Sequence, residues 1–313
     1  MTTPTSTELQ AITNLKQIAR EEFLLPGSAV CGGCGGLEAL RLVAKALGPK
    51  TVFVNAAGCF TLLAVFPYTP LKGSWLYTTM GGAAAGAQGV RDALDVLIAR
   101  GKMRAEDDVE VVVVAGDGST YDMALSSISG AIFRGLDFWY FCYDNESYGN
   151  TGMQMSSATP YGARTTTTPA SVDARVGTEH GKKNLFEIWR AHQPAYLATV
   201  SARYPVDLTN KFLKAKTLRG PKLFIAHAPC PTGWLYDPEY TAEYARLAVD
   251  SGIFALKEAV HGVVTHTHIP RRRRPVEDYL KGQGRYRHLF EPHRNEDALQ
   301  QIQAQVDRYW ESV

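Results

Sequence analysis

The feature that most constrains this chain is VEVVVVAGDG at 109–118, a β-branched run with no polar face that stops in Gly-Asp-Gly. A strand with one wet face alternates apolar and polar residues. A run that is apolar at nearly every position has both faces covered, as in a parallel sheet with helices on either side. The pattern recurs in TVFVN (51–55), FWYFCYDN (138–145), AYLATV (195–200) and KLFIAHA (222–228). Between these runs the apolar residues fall at helical spacing: Leu37, Leu40, Val43, Ala44 and Leu47, then the Gly/Ala-rich 81–99 segment, 124–133, 185–192 and 206–216. The expected fold is α/β, a mostly parallel sheet with helices on both faces. Leu9, Ile12, Leu15 and Ile18 predict a further amphipathic helix over 8–23. Past Cys230 the pattern weakens to one helix over 239–250 and then a polar stretch carrying RRRR at 271–274. We therefore expect one domain over 1–250 and, over 251–313, a C-terminal arm too polar to own a core, which packs on partner subunits.

With 313 residues the chain is long enough to bury roughly three-quarters of its unfolded surface without a staple. Its 33 basic and 31 acidic residues leave a net charge of +2, so no basic field points to nucleic acid. The uncharged stretch Thr51 to Leu71 is interrupted by Asn55, Gly58, Pro67 and Pro70 and reads as strand, loop and short helix, not as a membrane span. The polar start MTTPTSTELQ has no apolar signal region, and five cysteines is an odd number. Both observations favour reduced thiols and a cytoplasmic location. RRRR is expected to form salt bridges with a partner chain, and the His266-x-His268 pair lacks a third ligand nearby.

In an open parallel sheet, ligands sit at the carboxyl ends of the strands. Gly116, Asp117 and Gly118 fall at one such end and Asn145 at the next, 28 residues on, about one strand–helix–strand unit. A carboxylate and an amide carbonyl, with phosphate oxygens completing an octahedron, suit Mg²⁺. The flanking glycines let the backbone approach a diphosphate closely. Gly-Asp-Gly alone reads as a strand-ending turn; Asn145 at this spacing favours the ligand site.

Gly-Asp-Gly followed by Asn at this distance resembles the thiamine diphosphate fingerprint. The longer strings YDNESYGNTGMQMSSATPYGARTTTTP (143–169), AVCGGCGGLEALRLVAKALG (29–48), VNAAGC (54–59), APCPTGW (228–234) and RPVEDYLKGQGRYRHL (274–289) are similar to the β subunit of the 2-oxoacid:ferredoxin oxidoreductase family. The resemblance implies a thiamine diphosphate-binding fold, cleavage of a 2-oxoacid carbon–carbon bond, and electrons leaving through iron–sulfur clusters to ferredoxin. It further implies that Asp117 and Asn145, with the backbone carbonyl of Ser147, hold Mg²⁺, and that Gly116, Gly118 and Ser119 form the diphosphate loop. By the same resemblance Asn150 and Thr151 lie against the cofactor, with Asn150 in a catalytic position. Cys31, Cys34, Cys59 and Cys230 match the ligands of a [4Fe–4S] cluster, whereas Cys142 matches none and is expected to be a buried apolar residue. No glutamate matches the group that activates the cofactor, so other subunits are expected to supply it, together with much of the substrate pocket and further clusters.

Some residues depart from the family pattern. Gly27-Ser28 stands where relatives show Gly-His, Met80-Gly81-Gly82 where they carry an acidic/Asn pair, and Met155 where an Arg follows the Gln. The loss of polar groups points to a re-lined pocket and to oxalate as an alternative to pyruvate. On cysteine pattern alone, Cys-x-x-Cys with two remote cysteines equally suits structural zinc in an α/β binding protein. A thiamine-dependent lyase or decarboxylase without redox chemistry is the other alternative.

Overall fold

The computed structural model describes residues 11–65, 67–170 and 176–313. Among these residues eight strands form one sheet. In chain order they are β1 (Thr51–Ala56), β2 (Ser74–Thr78), β3 (Glu110–Gly116), β4 (Trp139–Asp144), β5 (Tyr196–Ser201), β6 (Lys222–His227), β7 (Leu256–Val260) and β8 (Val263–His268). In space the order is β2-β1-β3-β4-β6-β5-β7-β8. The first six in that order pair in parallel; β7 joins β5 antiparallel and turns back into β8. The helices are α1 (Gly35–Leu47), α2 (Ala83–Ala99), α3 (Leu125–Phe133), α4 (Leu185–Arg190), α5 (Pro205–Lys216), the single turn α6 (Pro231–Trp234), α7 (Thr241–Asp250), α8 (Val276–Leu280) and α9 (Glu296–Glu311).

The uninterrupted apolar run of β3 has the use expected of it. Val111, Val113 and Ala115 face a core shared with α2 and α3, and Val112 and Val114 face a second core shared with α1 and α5. None of Val111 to Val114 is more than 1% exposed, so each contributes about 1.5–3 kcal/mol of burial. On the first face, Ala83, Ala84 and Ala87 let α2 lie close to the sheet. A Cβ at Gly86 would come within 3.3 Å of Val54. On the second face, Trp139 and Phe224 stack on Phe212, with ring centroids 5.5 and 3.9 Å away. Cys142 is fully buried in the first core, among apolar neighbours.

Two expectations are corrected. Leu9 lies outside the described residues. Over 11–23 the chain forms only one 3-10 turn, Leu15–Gln17, where Asn14 and Gln17 cap each other, and Leu15 is 63% exposed. A short amphipathic helix needs a surface to cover. This segment instead runs along the outside, where the Ile12 backbone pairs with Asn210 and Glu22 with Arg41.

The second correction concerns 251–313. Far from lacking a core, this segment adds β7 and β8 to the sheet and builds a third apolar cluster with α7 and Trp234. Ala298, Leu299, Ile302, Val306 and Trp310 of α9 lie on one buried face. Most of the remaining positions of the helix are polar, so the segment reads as polar on average although its inner face is not. Position 250 therefore marks no break in packing. The stretch 51–71 forms β1 and a 3-10 helix, Cys59–Ala64, and no helix among the described residues is long and apolar enough to cross a membrane.

Candidate active site

Parallel pairing brings the carboxyl ends of β1, β3, β4 and β6 to one edge. Cys59, Asp117, Asn145 and Cys230 each follow one of those ends within three residues. Gly116 pairs with Tyr143, so the chain leaves β3 and β4 side by side. The Asn145 amide N–H donates to Asp117 Oδ1 at 3.3 Å, and the Ser156 hydroxyl donates to Asp117 Oδ2 at 2.5 Å. Asn145 Nδ2 faces Cys59 Sγ at 3.8 Å. The other end of that amide lies 2.7 Å from Asp117 Oδ1 and 2.8 Å from the Ser147 carbonyl oxygen.

With the amide oxygen in that position, three oxygens crowd together with no proton among them. Octahedral Mg²⁺ ligands at 2.0–2.1 Å sit about 2.9 Å from one another, so a hard cation fits the spacing. With the amide turned over, two N–H···O bonds occupy the same place. Asp117 is fully buried, and burial pushes its carboxyl well above the usual range, with the Asp144 charge adding to the shift. Burial thus disfavours the ionised form, and a cation bound beside it would favour the carboxylate.

Around this point is a cleft of about 140 Å³ lined by Gly58, Cys59, Tyr77, Met80, Gly116, Gly118, Ser119, Tyr143, Asn145, Ser147, Tyr148 and the 149–151 turn, among others. Its walls have little room for larger residues. A Cβ at Gly118 would lie 2.4 Å from the Tyr148 ring, and one at Gly116 would lie 3.0 Å from Tyr143. Ser119 Oγ donates to the Met80 carbonyl, which closes the floor. Among the described residues the Tyr143 hydroxyl is buried without a hydrogen-bond partner, and Tyr143 lines the same space. Such an orphan donor next to a glycine-lined floor suits a phosphate-bearing ligand. No glutamate lines the cleft among the described residues. Asn150 and Thr151, in contrast, are exposed at its rim.

The cysteines come from three segments. Cys31 and Cys34 flank the turn before α1, and the Gly35 N–H donates to the Pro229 carbonyl at 3.1 Å, docking that turn against the one carrying Cys230. A Cβ at Gly35 would meet the Pro229 ring at 2.6 Å, and one at Gly149 would meet Cys59 Sγ at 3.3 Å. All five cysteines are free. Burial pushes the Cys34 thiol up to about 11 and the Cys59 thiol to about 12, and like charge from Cys230 and Cys31 adds to both shifts. Among the described residues no three His, Cys, Asp or Glu side chains close on a point as a single ion requires. A [4Fe–4S] cluster gives each iron one thiolate, so its ligands need not converge on a single atom.

Sequence reasoning missed Tyr143 and Tyr148, which look like ordinary strand and loop aromatics. It also missed a buried charge group behind Asn145. There Lys182 bridges Asp144 at 2.7 Å and Glu146 at 3.0 Å, and Glu146 pairs with Arg285 at 2.7 Å. Asp144, Glu146 and Lys182, with His227, line part of a second cavity of about 320 Å³.

Fold and cleft together define a thiamine-binding domain: the family described as thiamine pyrophosphate enzyme, C-terminal TPP binding domain, matches residues 56–226. The chain is 44% identical to pyruvate synthase subunit PorB of Methanothermobacter thermautotrophicus, over 93% of this chain and 97% of that protein. It is 39% identical to ketoisovalerate oxidoreductase subunit VorB of Pyrococcus abyssi, over 94% and 93% respectively. It also shares its fold with a solved chain of 2-oxoglutarate:ferredoxin oxidoreductase from Magnetococcus marinus, at a TM-score of 0.54 and 22% identity, covering 70% of this chain and 77% of that one. The chain belongs to the 2-oxoacid:ferredoxin oxidoreductase family, as its thiamine diphosphate-binding beta subunit.

Proposed function

We propose that this chain carries the cofactor half of an active site that oxidatively decarboxylates a small 2-oxoacid, pyruvate first, and passes the electrons singly through its own [4Fe–4S] cluster towards ferredoxin. One observation carries this reading: Cys59 and Asn145 share a wall of the same cleft, with Asn145 Nδ2 3.8 Å from Cys59 Sγ. A thiolate placed there has no use in a thiamine enzyme that transfers no electrons.

When bound, thiamine diphosphate supplies an electron sink for the carbon that loses CO₂. The chain's own residues have distinct tasks. Asp117, Asn145 and the Ser147 carbonyl hold Mg²⁺ against the diphosphate, and Gly116, Gly118 and Ser119 let the backbone approach it. Tyr143 offers its unpartnered hydroxyl. Asn150 and Thr151 present polar groups at the rim, where substrate enters. Cys31, Cys34, Cys59 and Cys230 hold the cluster, and Cys142 stays in the core. The lack of a glutamate in the cleft and the exposure of the rim support completion of the site by another subunit, which supplies the activating carboxyl and further clusters. The free thiols support a cytoplasmic setting.

Pyruvate rests on the relatives named pyruvate synthase. Met80, apolar where the family pattern is polar, marks a re-lined cleft, and oxalate is therefore the second substrate to try. The test is the visible spectrum of the anaerobic complex mixed separately with pyruvate, 2-oxoisovalerate and oxalate. Bleaching of iron–sulfur absorbance by one of them identifies the substrate. A spectrum unchanged by all three, or zinc in place of iron on metal analysis, contradicts the proposal.

A further inference from the structure

We propose that Glu146 and Arg285 are positioning residues: their ion pair, brought from the C-terminal segment, sets the turn that presents Asn145 and Ser147 to the cofactor. The inference rests on the proposed function, since it concerns the same turn.

Glu146 has φ of 66°, the left-handed region that a residue with a side chain rarely adopts. It sits between Asn145 and Ser147, so its backbone conformation determines how the amide of one and the carbonyl of the other converge. A conformation of this kind is unfavourable on its own and persists only when its surroundings over-determine it. The surroundings here do so from two sides. The Glu146 carboxylate is held by Arg285 at 2.7 Å and by Lys182 at 3.0 Å, and its carbonyl accepts from the Thr159 hydroxyl at 2.7 Å. The carbonyl of the preceding residue, Asn145, accepts from the Trp234 indole N–H at 2.9 Å.

These two sides meet in one side chain. The Arg285 guanidinium lies 3.9 Å from the centre of the Trp234 ring, so Arg285 grips the turn directly through Glu146 and indirectly through Trp234. Arg285 is itself fixed. Its Nε donates to Gln283 Oε1 at 2.8 Å, its carbonyl accepts from the Arg164 N–H at 2.9 Å, and it is only 3% exposed. Trp234 closes the helical turn that begins at Cys230, its N–H donating to the Cys230 carbonyl at 2.8 Å. The same clamp therefore ties the cation-holding turn to the segment bearing the fourth proposed cluster ligand. Glu146 and Arg285 touch neither the cleft nor the diphosphate floor.

The experiment measures Mg²⁺–thiamine diphosphate affinity in the anaerobic multi-subunit complex, well below its unfolding temperature, with iron content as the second readout. Outer-sphere partners of a metal site are typically worth roughly 10–100-fold in affinity. We expect E146Q and R285M each to weaken binding by about that factor while keeping iron. The double variant should be no worse than the weaker single, since the two residues act as one unit. R285K keeps the charge but loses the planar stack on Trp234, and should fall between wild type and R285M. It also serves as the test should R285M not assemble. Affinity within about twofold of wild type in E146Q and R285K, with only a lowered melting temperature, would overturn the proposal and leave the pair as ordinary core structure. A wild-type complex that does not bind Mg²⁺–thiamine diphosphate would instead overturn the proposed function.

Discussion

The floor and the rim of the cleft are built differently. Asp117, Asn145, Ser147 and Ser119 are all buried, tied to one another or to neighbouring backbone, and backed by two strands in register. Asn150 and Thr151, a few residues further along the same loop, are exposed, and the Thr151 hydroxyl donates only within its own turn, to Gln154 Oε1 and the Tyr148 carbonyl. One chain has thus preorganised the end suited to the diphosphate and cation and left the proposed reacting end open. A preorganised floor binds the cofactor without help, whereas an open rim takes its working shape from what packs over it.

The sharpest way to break this contrast is at Asp117. Asp117→Ala removes the carboxylate of the proposed cation site, so thiamine diphosphate affinity should fall by more than the roughly 10–100-fold typical of outer-sphere partners. Iron should stay. Assay of bound thiamine diphosphate and iron in the same preparation checks both. Full thiamine retention would mean that the floor is misassigned.

The cysteines extend the contrast to the edge of the sheet. Replacing one thiolate of a cluster leaves it labile. Cys31→Ser, Cys34→Ser, Cys59→Ser and Cys230→Ser should each lose iron. Cys142→Ser should keep it, at a cost of ~1–3 kcal/mol for a hydroxyl in an apolar core. Iron and sulfide assays on five anaerobic preparations decide the matter, and loss of iron from Cys142→Ser alone would reassign the ligands.

At the rim the effect should be smaller and of another kind. Asn150→Ala should leave thiamine content unchanged and lower kcat by about tenfold through lost orientation of the reacting groups. Steady-state kinetics on thiamine-saturated complex would show it; a fall in thiamine content would move Asn150 to the floor.

The smallest effect concerns pH. Burial holds His227 at about 3, against an ordinary value of 6.5, with Glu146 opposing the shift and Lys182 and Arg285 adding to it. The unfolded chain therefore binds more protons between those values, and stability should fall as pH drops from about 6.5 towards 3. Melting curves across that range should show a shallower slope for His227→Gln.

How much of this was legible in the sequence follows the range of the signals. β3 and β4 could be read because strands covered on both faces are apolar throughout. Asp117 and Asn145 could be read because one strand–helix–strand unit separates them. The N-terminal helix was over-read, since Leu15 has helical spacing but nothing to cover. The C-terminal core was under-read because the buried face of α9 is diluted by polar residues. The Glu146–Arg285 pair left no local trace, because the two residues meet only through the fold. Tyr143 gave no signal either, since its hydroxyl matters only once Gly58 and Gly116 stand beside it.

The central claim is that thiamine chemistry and a cluster work side by side on this one chain. The most direct measurement is freeze-quench electron paramagnetic resonance of the anaerobic complex mixed with its 2-oxoacid and no acceptor, comparing wild type with Asp117→Ala. We expect a reduced-cluster signal in wild type and none in Asp117→Ala at equal iron content. The same reduction in both, or in a Cys59→Ser complex that has lost this chain's iron, would contradict the claim.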